Sequence, residues 1–438
     1  MGTSGGDGAW DALRSLRMGQ RVDLVDRAGS RWSGTVIPPH DLSGERTLTL
    51  KLESGYNVGI RIDPGTTIES IGPPPPLRAN APHAPPPGGS SGPAGWVALL
   101  TTGGTIASRV DYETGGVRPV QGEREILDFY PELERGGPVR VVPVFDRMSE
   151  DLVPPDWLTI AEKAAAAFAA GAVGVVVAHG TDTLGYTSAA LSFLLADLPG
   201  PVVVVGAQRS PDRPSSDGPS NLAAAVAVAR DRRIGEVVAV MHEDLSDTRF
   251  AIHRGTWVRK MHSTRRDAFE SRNGPELGFV EGGSVELTEP VRPPAKGPAR
   301  VDGPIDARAG LLWSHPGLTV EAARASSAGV RGLVIAGTGL GHVAAHLLPW
   351  IRSETERGVV VAMTTQCLAG GADPYVYATG RALQKAGVLY LDDLLPETAF
   401  AKLVWALGHE STPDGVRRRL SDDRAGEFVR RHLPGGAP

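Results

Sequence analysis

Val173-Gly-Val-Val-Val177, followed at once by Ala178-His-Gly-Thr-Asp-Thr183, decides the fold. A valine run without polar alternation is what a strand buried on both faces requires, and such strands belong to parallel sheets covered by helices. Outward from it the same grammar recurs. Trp96-Val-Ala-Leu-Leu100 leads into Thr101-Thr-Gly-Gly-Thr-Ile-Ala-Ser108, while Val139-Arg-Val-Val-Pro-Val144, Val202-Val-Val-Val205 and Val237-Val-Ala-Val240 read as further strands. Helical stretches, Thr159–Gly171 and Thr187–Leu198, lie between them. The alternation predicts a doubly wound parallel α/β sheet over residues 95–290.

A Pro/Gly-rich stretch, Glu289-Pro-Val-Arg-Pro-Pro-Ala-Lys-Gly-Pro298, interrupts the pattern and predicts a linker over 291–309. Gly310-Leu-Leu-Trp313, Gly332-Leu-Val-Ile-Ala336, Val359-Val-Val-Ala362 and Val388-Leu-Tyr-Leu391 then resume it, so a second, smaller doubly wound unit is predicted over 310–438. Ahead of both lie nine prolines between Pro73 and Pro93, a stiff and partly extended linker over 73–94. Residues 1–72 carry five short β-type runs, Arg21–Val25, Trp32–Ile37, Thr47–Leu52, Tyr56–Ile60 and Thr67–Ile71, punctuated by turn residues. They predict a small five-stranded β-barrel, readable equally as a protein-docking domain or a structural appendage.

Composition narrows the function classes. Among 438 residues, 45 Lys and Arg face 50 Asp and Glu, a net charge of −5, so no global basic field exists to hold nucleic acid. Residues 1–72 hold 8 basic and 9 acidic side chains, which denies the N-terminal module such a footprint as well. The single cysteine, Cys367, excludes an intrachain disulfide and a thiolate cage and fits a reducing compartment. The longest near-apolar run, Ala164 to Ala178, contains Gly171 and Gly174 and is too short to span a bilayer. No basic-then-apolar signal opens the sequence. A cytoplasmic location without membrane contact is the expectation.

Ligands of parallel α/β sheets sit beyond the carboxyl ends of the strands, which directs attention to Thr101–Ser108 and Ala178–Thr183. Each has glycine that lets the backbone approach a ligand, then a hydroxyl. Either motif alone is also what a turn with an N-capping Thr produces. Two together, with Asp182, suit hydroxyl chemistry, and a threonine nucleophile needs a base to take its proton. Lys260, in Trp257-Val-Arg-Lys-Met-His262, can serve, although His253–Arg266 also reads as a basic surface loop.

Thr102-Gly-Gly-Thr-Ile-Ala107, His179-Gly-Thr-Asp-Thr183, Gly206-Ala-Gln-Arg-Ser210 and the Lys260 segment, in this order, resemble the type I/II L-asparaginase family from Trp96 to about Gly408. More narrowly, Thr105–Gly115, Gln208–Asp217 and Val258–Asp267 resemble the D-type subunit of the archaeal glutamyl-tRNA(Gln) amidotransferases, which also carries a small β domain in front. The resemblance implies a two-domain α/β amidohydrolase of the asparaginase type. Thr105 would form the acyl-enzyme, and Thr181, Asp182 and Lys260 would make a second catalytic set. Ser149 and Glu150 would bind the amino-acid end of the substrate, backbone N–H groups around Gly104 and Gly180 would steady the oxyanion, and Tyr112 would sit on a lid over Asp111–Gly116. It further implies glutamine or asparagine as amide donor. No cofactor or metal is expected in this chain; ATP and Mg belong to a partner, the E-type subunit of the archaeal amidotransferase, which would present Glu-tRNA(Gln). A homodimer within a two-plus-two heterotetramer is the implied assembly, and a free-standing L-asparaginase is the alternative.

Other chemistries have weaker signals. Gly339-Leu-Gly-His-Val-Ala344 fits a dinucleotide fingerprint, but Pro349 soon stops the helix such a site needs. The sequence has no P-loop for ATP and no His-Glu-x-x-His pair for zinc.

Overall fold

The computed structural model describes residues 16, 19–37, 46–52, 57–72, 95–103, 108–110, 117–119, 133, 137–209 and 216–429. The first strands, β1 (Arg21–Val25), β2 (Arg31–Val36), β3 (Thr47–Leu52), β4 (Asn57–Arg61) and β5 (Thr67–Gly72), form an antiparallel sheet in the order β4-β3-β2-β1-β5. Alternate residues turn one face inward, so Val22, Leu24, Val36, Leu48, Leu50, Ile60 and Ile62 make a core of their own. All five β-type runs read from the sequence are strands here. Among the described residues the edge strands β4 and β5 do not pair with each other, so the ladder is a five-stranded sheet without the closing seam of a barrel.

The next strand, β6 (Val97–Thr101), is followed by a short hairpin of β7 (Ser108–Val110) and β8 (Val117–Pro119), then by β9 (Val139–Pro143). Helix α1 (Pro154–Ala169) begins five residues before the sequence pattern suggests. Pro154 and Pro155 sit in its first turn, where no N–H is needed, and the Asp156 carboxylate accepts the Val153 N–H at 2.8 Å. There follow β10 (Gly174–Ala178), α2 (Leu184–Leu194), β11 (Leu195–Ala196), β12 (Val202–Val205), α3 (Gly218–Ala229), β13 (Val237–His242), β14 (Arg249–Arg254), β15 (Val258–Lys260), β16 (Phe269–Ser271), β17 (Gly278–Glu281), β18 (Ser284–Leu287) and β19 (Arg300–Val301).

The large sheet runs β18-β17-β14-β13-β12-β10-β6-β9. Its five strands from β13 to β9 are parallel, and β6, β10, β12 and β13 are buried along their whole length. The other three strands extend it antiparallel, which the sequence reading of a wholly parallel sheet did not anticipate. After β6 the chain passes outward to β9 and then returns to the other flank of β6 as β10. The strand order therefore reverses at β6 and β10, and the crevice beyond their carboxyl ends is the switch point where such sheets hold ligands.

The predicted linker 291–309 is anchored to the large unit: β19 pairs with β11, and Gly235 N–H donates to Arg292 O at 2.7 Å. The smaller unit holds β20 (Ala309–Trp313), α4 (Val320–Ser326), β21 (Gly332–Gly337), α5 (Leu348–Glu356), β22 (Val360–Thr365), α6 (Ala378–Lys385), β23 (Leu389–Tyr390), α7 (Pro396–His409) and α8 (Pro413–Ser421). Its four parallel strands follow one another in sequence order without reversal, so it is wound in one direction, not doubly as the sequence suggested. Right-handed crossovers then place α4, α5 and α6 on one face, over Leu333, Ile335, Val361 and Met363. The opposite face, with Val334, Val360 and Ala362, is covered by α7, whose Leu403 and Val404 join the core of the large unit. A helix after the last strand supplies the second layer, and nothing in valine-rich strands announces that choice. No helix among the described residues is long and apolar enough to cross a membrane.

Candidate active site

Beyond the end of β6, Thr102 N–H and Oγ1 both donate to Ala178 O at 3.1 Å, which fastens this turn to the end of β10. Gly103 follows at φ +96°, a left-handed conformation that favours glycine, and a Cβ there would strike the Arg147 backbone. On the neighbouring strand, a Cβ on Gly180 would lie 2.7 Å from Ser149 Cβ and Oγ. The absent side chain lets Ser149, on the short 3-10 turn after β9, pack against the β10 corner. Thr183 Oγ1 locks the contact by donating to Ser149 O at 2.7 Å.

His179 occupies the middle of this corner and is fully buried. Its Nδ1 lies 2.6 Å from Gly180 O and must donate, so Nε2 accepts from Thr187 Oγ1 at 2.9 Å. Burial pulls its pKa down to about 4, so the ring is neutral at pH 7 and serves as a brace for the turn.

Lys260 arrives from the other side, at the end of β15. Strand alternation sends Arg259 away toward Glu397 of α7 (Nε to Oε1, 3.4 Å) and leaves Lys260 facing the corner. Lys260 Nζ donates to Thr181 Oγ1 at 2.8 Å and to Asp182 Oδ1 at 2.7 Å. The lysine side chain is 15 % exposed and the aspartate 64 % exposed, so the cluster opens to solvent on the carboxylate side. A hydroxyl, an amine and a carboxylate thus meet at the switch point of the sheet.

The structure brings Thr181, Asp182 and Lys260 together, and sets Gly180 and the buried Ser149 beside them. Glu150 is exposed next to Ser149, whose hydroxyl lies 3.5 Å from its Oε2. Thr105, Gly104 and Tyr112 lie outside the described residues. Sequence reasoning quoted Gln208 without giving it a task. It follows β12 as the other site residues follow their strands, and it accepts from Thr181 Oγ1 at 3.3 Å while its Nε2 faces His262 O at 3.5 Å. The rule that sends ligands to strand ends was the signal available. Among the described residues no three His, Cys, Asp or Glu side chains converge to hold a metal ion. At the dinucleotide-like Gly339–Ala344, Thr338 and His342 exchange backbone hydrogen bonds of 2.9 Å, and α5 begins only at Leu348. That turn presents no helix N-terminus to a pyrophosphate.

Comparison with known proteins covers nearly the whole chain. The family profile "Asparaginase, N-terminal" matches residues 96–292, "Glutaminase/Asparaginase C-terminal domain" matches 308–420, and "GatD N-terminal domain" matches 16–71. The D-type subunit of glutamyl-tRNA(Gln) amidotransferase from Saccharolobus islandicus (strain L.S.2.15 / Lassen #1) is 41% identical over 97% of this chain and 96% of its own. Its counterpart from Pyrococcus horikoshii is 44% identical over 91% of each chain. Among solved structures, the thermostable L-asparaginase from Thermococcus kodakarensis superimposes with a TM-score of 0.69 at 34% identity, covering 76% of this chain and 99% of that one. L-asparaginase I from Vibrio cholerae gives 0.64 at 31% identity, with the same coverage.

Proposed function

The chain belongs to the asparaginase family, within the group of D-type subunits of glutamyl-tRNA(Gln) amidotransferase, and is an amidohydrolase-type enzyme; on that premise we propose that it releases ammonia from glutamine for transfer onto tRNA-bound glutamate. The observation that carries the reading is the cluster in which Lys260 Nζ touches both Thr181 Oγ1 and Asp182 Oδ1 at the switch point. In this account the Thr105 hydroxyl attacks the side-chain carboxamide carbon. The tetrahedral centre expels ammonia, leaves a glutamyl ester on Thr105, and water then hydrolyses the ester to glutamate. Lys260 moves the proton at Thr181 or its bound water, and Asp182 orients the lysine. Ser149 and Glu150 hold the carboxylate and ammonium of the amino acid. Backbone N–H groups around Gly104 and Gly180 face the oxyanion, and Tyr112 closes over it.

The N-terminal sheet, matched by a profile separate from the asparaginase ones, supports assembly with a second polypeptide, the E-type subunit of the archaeal amidotransferase. We assign to that partner the ATP, Mg and Glu-tRNA(Gln), with two copies of each chain in the complex, and leave this chain without a cofactor. The boundaries at 72, 94, 290 and 309 belong to the same proposal.

The test has two arms. Thr105→Ala should slow ammonia release from glutamine by about a thousandfold or more; an unchanged rate removes Thr105 from the chemistry. Gln-tRNA formation should require this chain together with a partner co-purified from the native host. Full amide hydrolysis by the chain alone, indifferent to tRNA and partner, would favour the free-standing asparaginase instead.

A further inference from the structure

Thr181 is the end of a polar chain that leads away from the site into the protein. Gln208, which meets the Thr181 hydroxyl, has its backbone N–H fixed by Asp217 Oδ2 at 2.9 Å, and the next N–H, of Arg209, is fixed by Asp217 Oδ1 at 2.8 Å. Asp217 is fully buried and takes a third hydrogen bond from Asn221 Nδ2 at 3.2 Å. The same amide nitrogen donates to Gly206 O at 3.0 Å. Both of these partners are acceptors, so the Asn221 amide has one orientation, and its Oδ1 faces His242 Nδ1 at 2.6 Å.

That orientation settles the first ring nitrogen of His242, which must donate. The second, Nε2, faces Asp247 Oδ1 at 3.0 Å. Asp247 also accepts from Arg266 Nη1 at 3.0 Å and from Ser220 Oγ at 3.3 Å. Partial burial works to raise its pKa, but the His242 hydrogen bond and the Arg266 charge outweigh burial and hold the group below the usual carboxylate range. It is a carboxylate, and Nε2 must donate too.

His242 itself is fully buried at the end of β13, with the Phe250 ring of β14 edge-on at 4.7 Å. The charged groups around it are Asp247 and Asp244 from the loop after β13, Asp217 behind Asn221 on α3, and Arg266 behind Asp247. Arg266 lies on the turn joining β15 to β16, six residues beyond Lys260. The chain therefore closes into a ring, from Thr181 through Gln208, Asp217, Asn221, His242, Asp247 and Arg266 to the Lys260 hairpin, and back to Thr181.

We propose that His242, carried as an imidazolium between Asn221 and Asp247, is a positioning residue that ties together the two loops delivering Gln208 and Lys260 to Thr181. Two donors are needed at this point because both neighbours are acceptors, and a neutral ring would turn a lone pair toward one of them. The buried cation is balanced by Asp247 on one side and by Asp217 beyond the amide on the other.

The kinetic consequence rests on the amidohydrolase reading, whereas the protonation state does not, and the experiment separates the two. Neutron diffraction from crystals of the full chain at pH 7 should show deuterium on both Nδ1 and Nε2 of His242. A bare nitrogen at either position would overturn the proposal. Asp247→Asn, at a side chain 58 % exposed, keeps a carbonyl oxygen for the donors gathered at Oδ1 but removes the negative charge that balances an imidazolium, and so favours the neutral ring with one of its two ties released. It should lower kcat for glutamine on the order of tenfold, with KM and the unfolding midpoint close to wild type. An unchanged kcat, or a loss confined to KM, would overturn the positioning role. If the wild type released no ammonia from glutamine or asparagine, the functional reading would fall, and the deuterium positions alone would decide the state of His242.

Discussion

Two lysines in this chain each hold a carboxylate within hydrogen-bonding reach, and their surroundings set a buried, saturated pair against the open pair to which the proposed chemistry is assigned. Lys402 on α7 and Glu427 are both fully buried. Lys402 Nζ donates to Glu427 Oε1 at 2.6 Å, Leu420 O at 2.7 Å and Asp422 O at 2.6 Å, while Glu427 accepts the N–H groups of Arg424 and Ala425. Burial lowers the Lys402 pKa from its ordinary value against the opposing pull of Glu427. All three ammonium hydrogens are committed, and the pair fastens the chain after α8 over the core, where Glu427 O also receives Trp257 Nε1 at 3.3 Å. Lys260 differs on each count. One partner is the Thr181 hydroxyl, the other a carboxylate open to water, and no backbone carbonyl satisfies its nitrogen among the hydrogen bonds of the described residues. A lysine saturated by fixed acceptors can hold a fold together. One left facing a hydroxyl is placed to move a proton.

The sharpest way to break this contrast lies at the hydroxyl. Thr181→Val keeps the shape of the side chain and should reduce ammonia release from glutamine by about a thousandfold, with an unfolding midpoint near wild type. A fall in stability instead of activity would make the open pair structural. The buried pair should behave in the opposite sense. Lys402→Met leaves the Glu427 charge enclosed without its partner and should destabilise the chain by about 3–5 kcal/mol in urea unfolding, while the fraction that remains folded keeps its activity. A cost within experimental error would show that the pair holds nothing.

Stability against pH sharpens the comparison further, because His179 and His253 are buried as neutral rings with their pKa values pulled down to about 4 by burial. Unfolded, each binds a proton near pH 6.5, so the unfolded state carries more protons as pH falls. Stability contributed by neutral burial is present above pH 6.5 and is lost progressively down to pH 4, at most about 3 kcal/mol for each ring. Urea titrations from pH 7.5 to 4 should show this fall, and His253→Gln should reduce its slope. The smallest effect is steric. Gly180→Ala puts a Cβ 2.7 Å from Ser149 Cβ and Oγ and must displace Ser149 to restore ordinary contact; it should raise KM for glutamine several-fold while kcat changes little, and an unaltered KM would separate Ser149 from substrate.

The sequence showed the site's frame more clearly than its inner wiring. Val173–Val177 and Trp96–Leu100 gave up their strands because a run buried on both faces tolerates nothing but apolar residues, and the turns that follow them meet as the strand-end rule requires. Arg249-Phe-Ala-Ile-His-Arg254 is not among the strands read from the sequence, and its last two residues fall in the His253–Arg266 run that reads as a basic loop, whereas the segment forms an antiparallel strand. The winding of the smaller unit was illegible for another reason: strand order depends on which face a later helix covers, and α7 lies far along the chain. Gln208 and His242 escaped notice because their roles come from partners at large sequence separation, Thr181 at 27 residues and Asn221 at 21.

The most direct measurement sets the two lysines against each other. Lys260→Met and Lys402→Met would be compared with wild type for glutamine-dependent ammonia release and for urea unfolding on the same preparations. The account predicts that Lys260→Met loses activity by a hundredfold to ten-thousandfold, roughly, and keeps its unfolding midpoint, while Lys402→Met shows the reverse. Retained ammonia release in a stably folded Lys260→Met chain would contradict it.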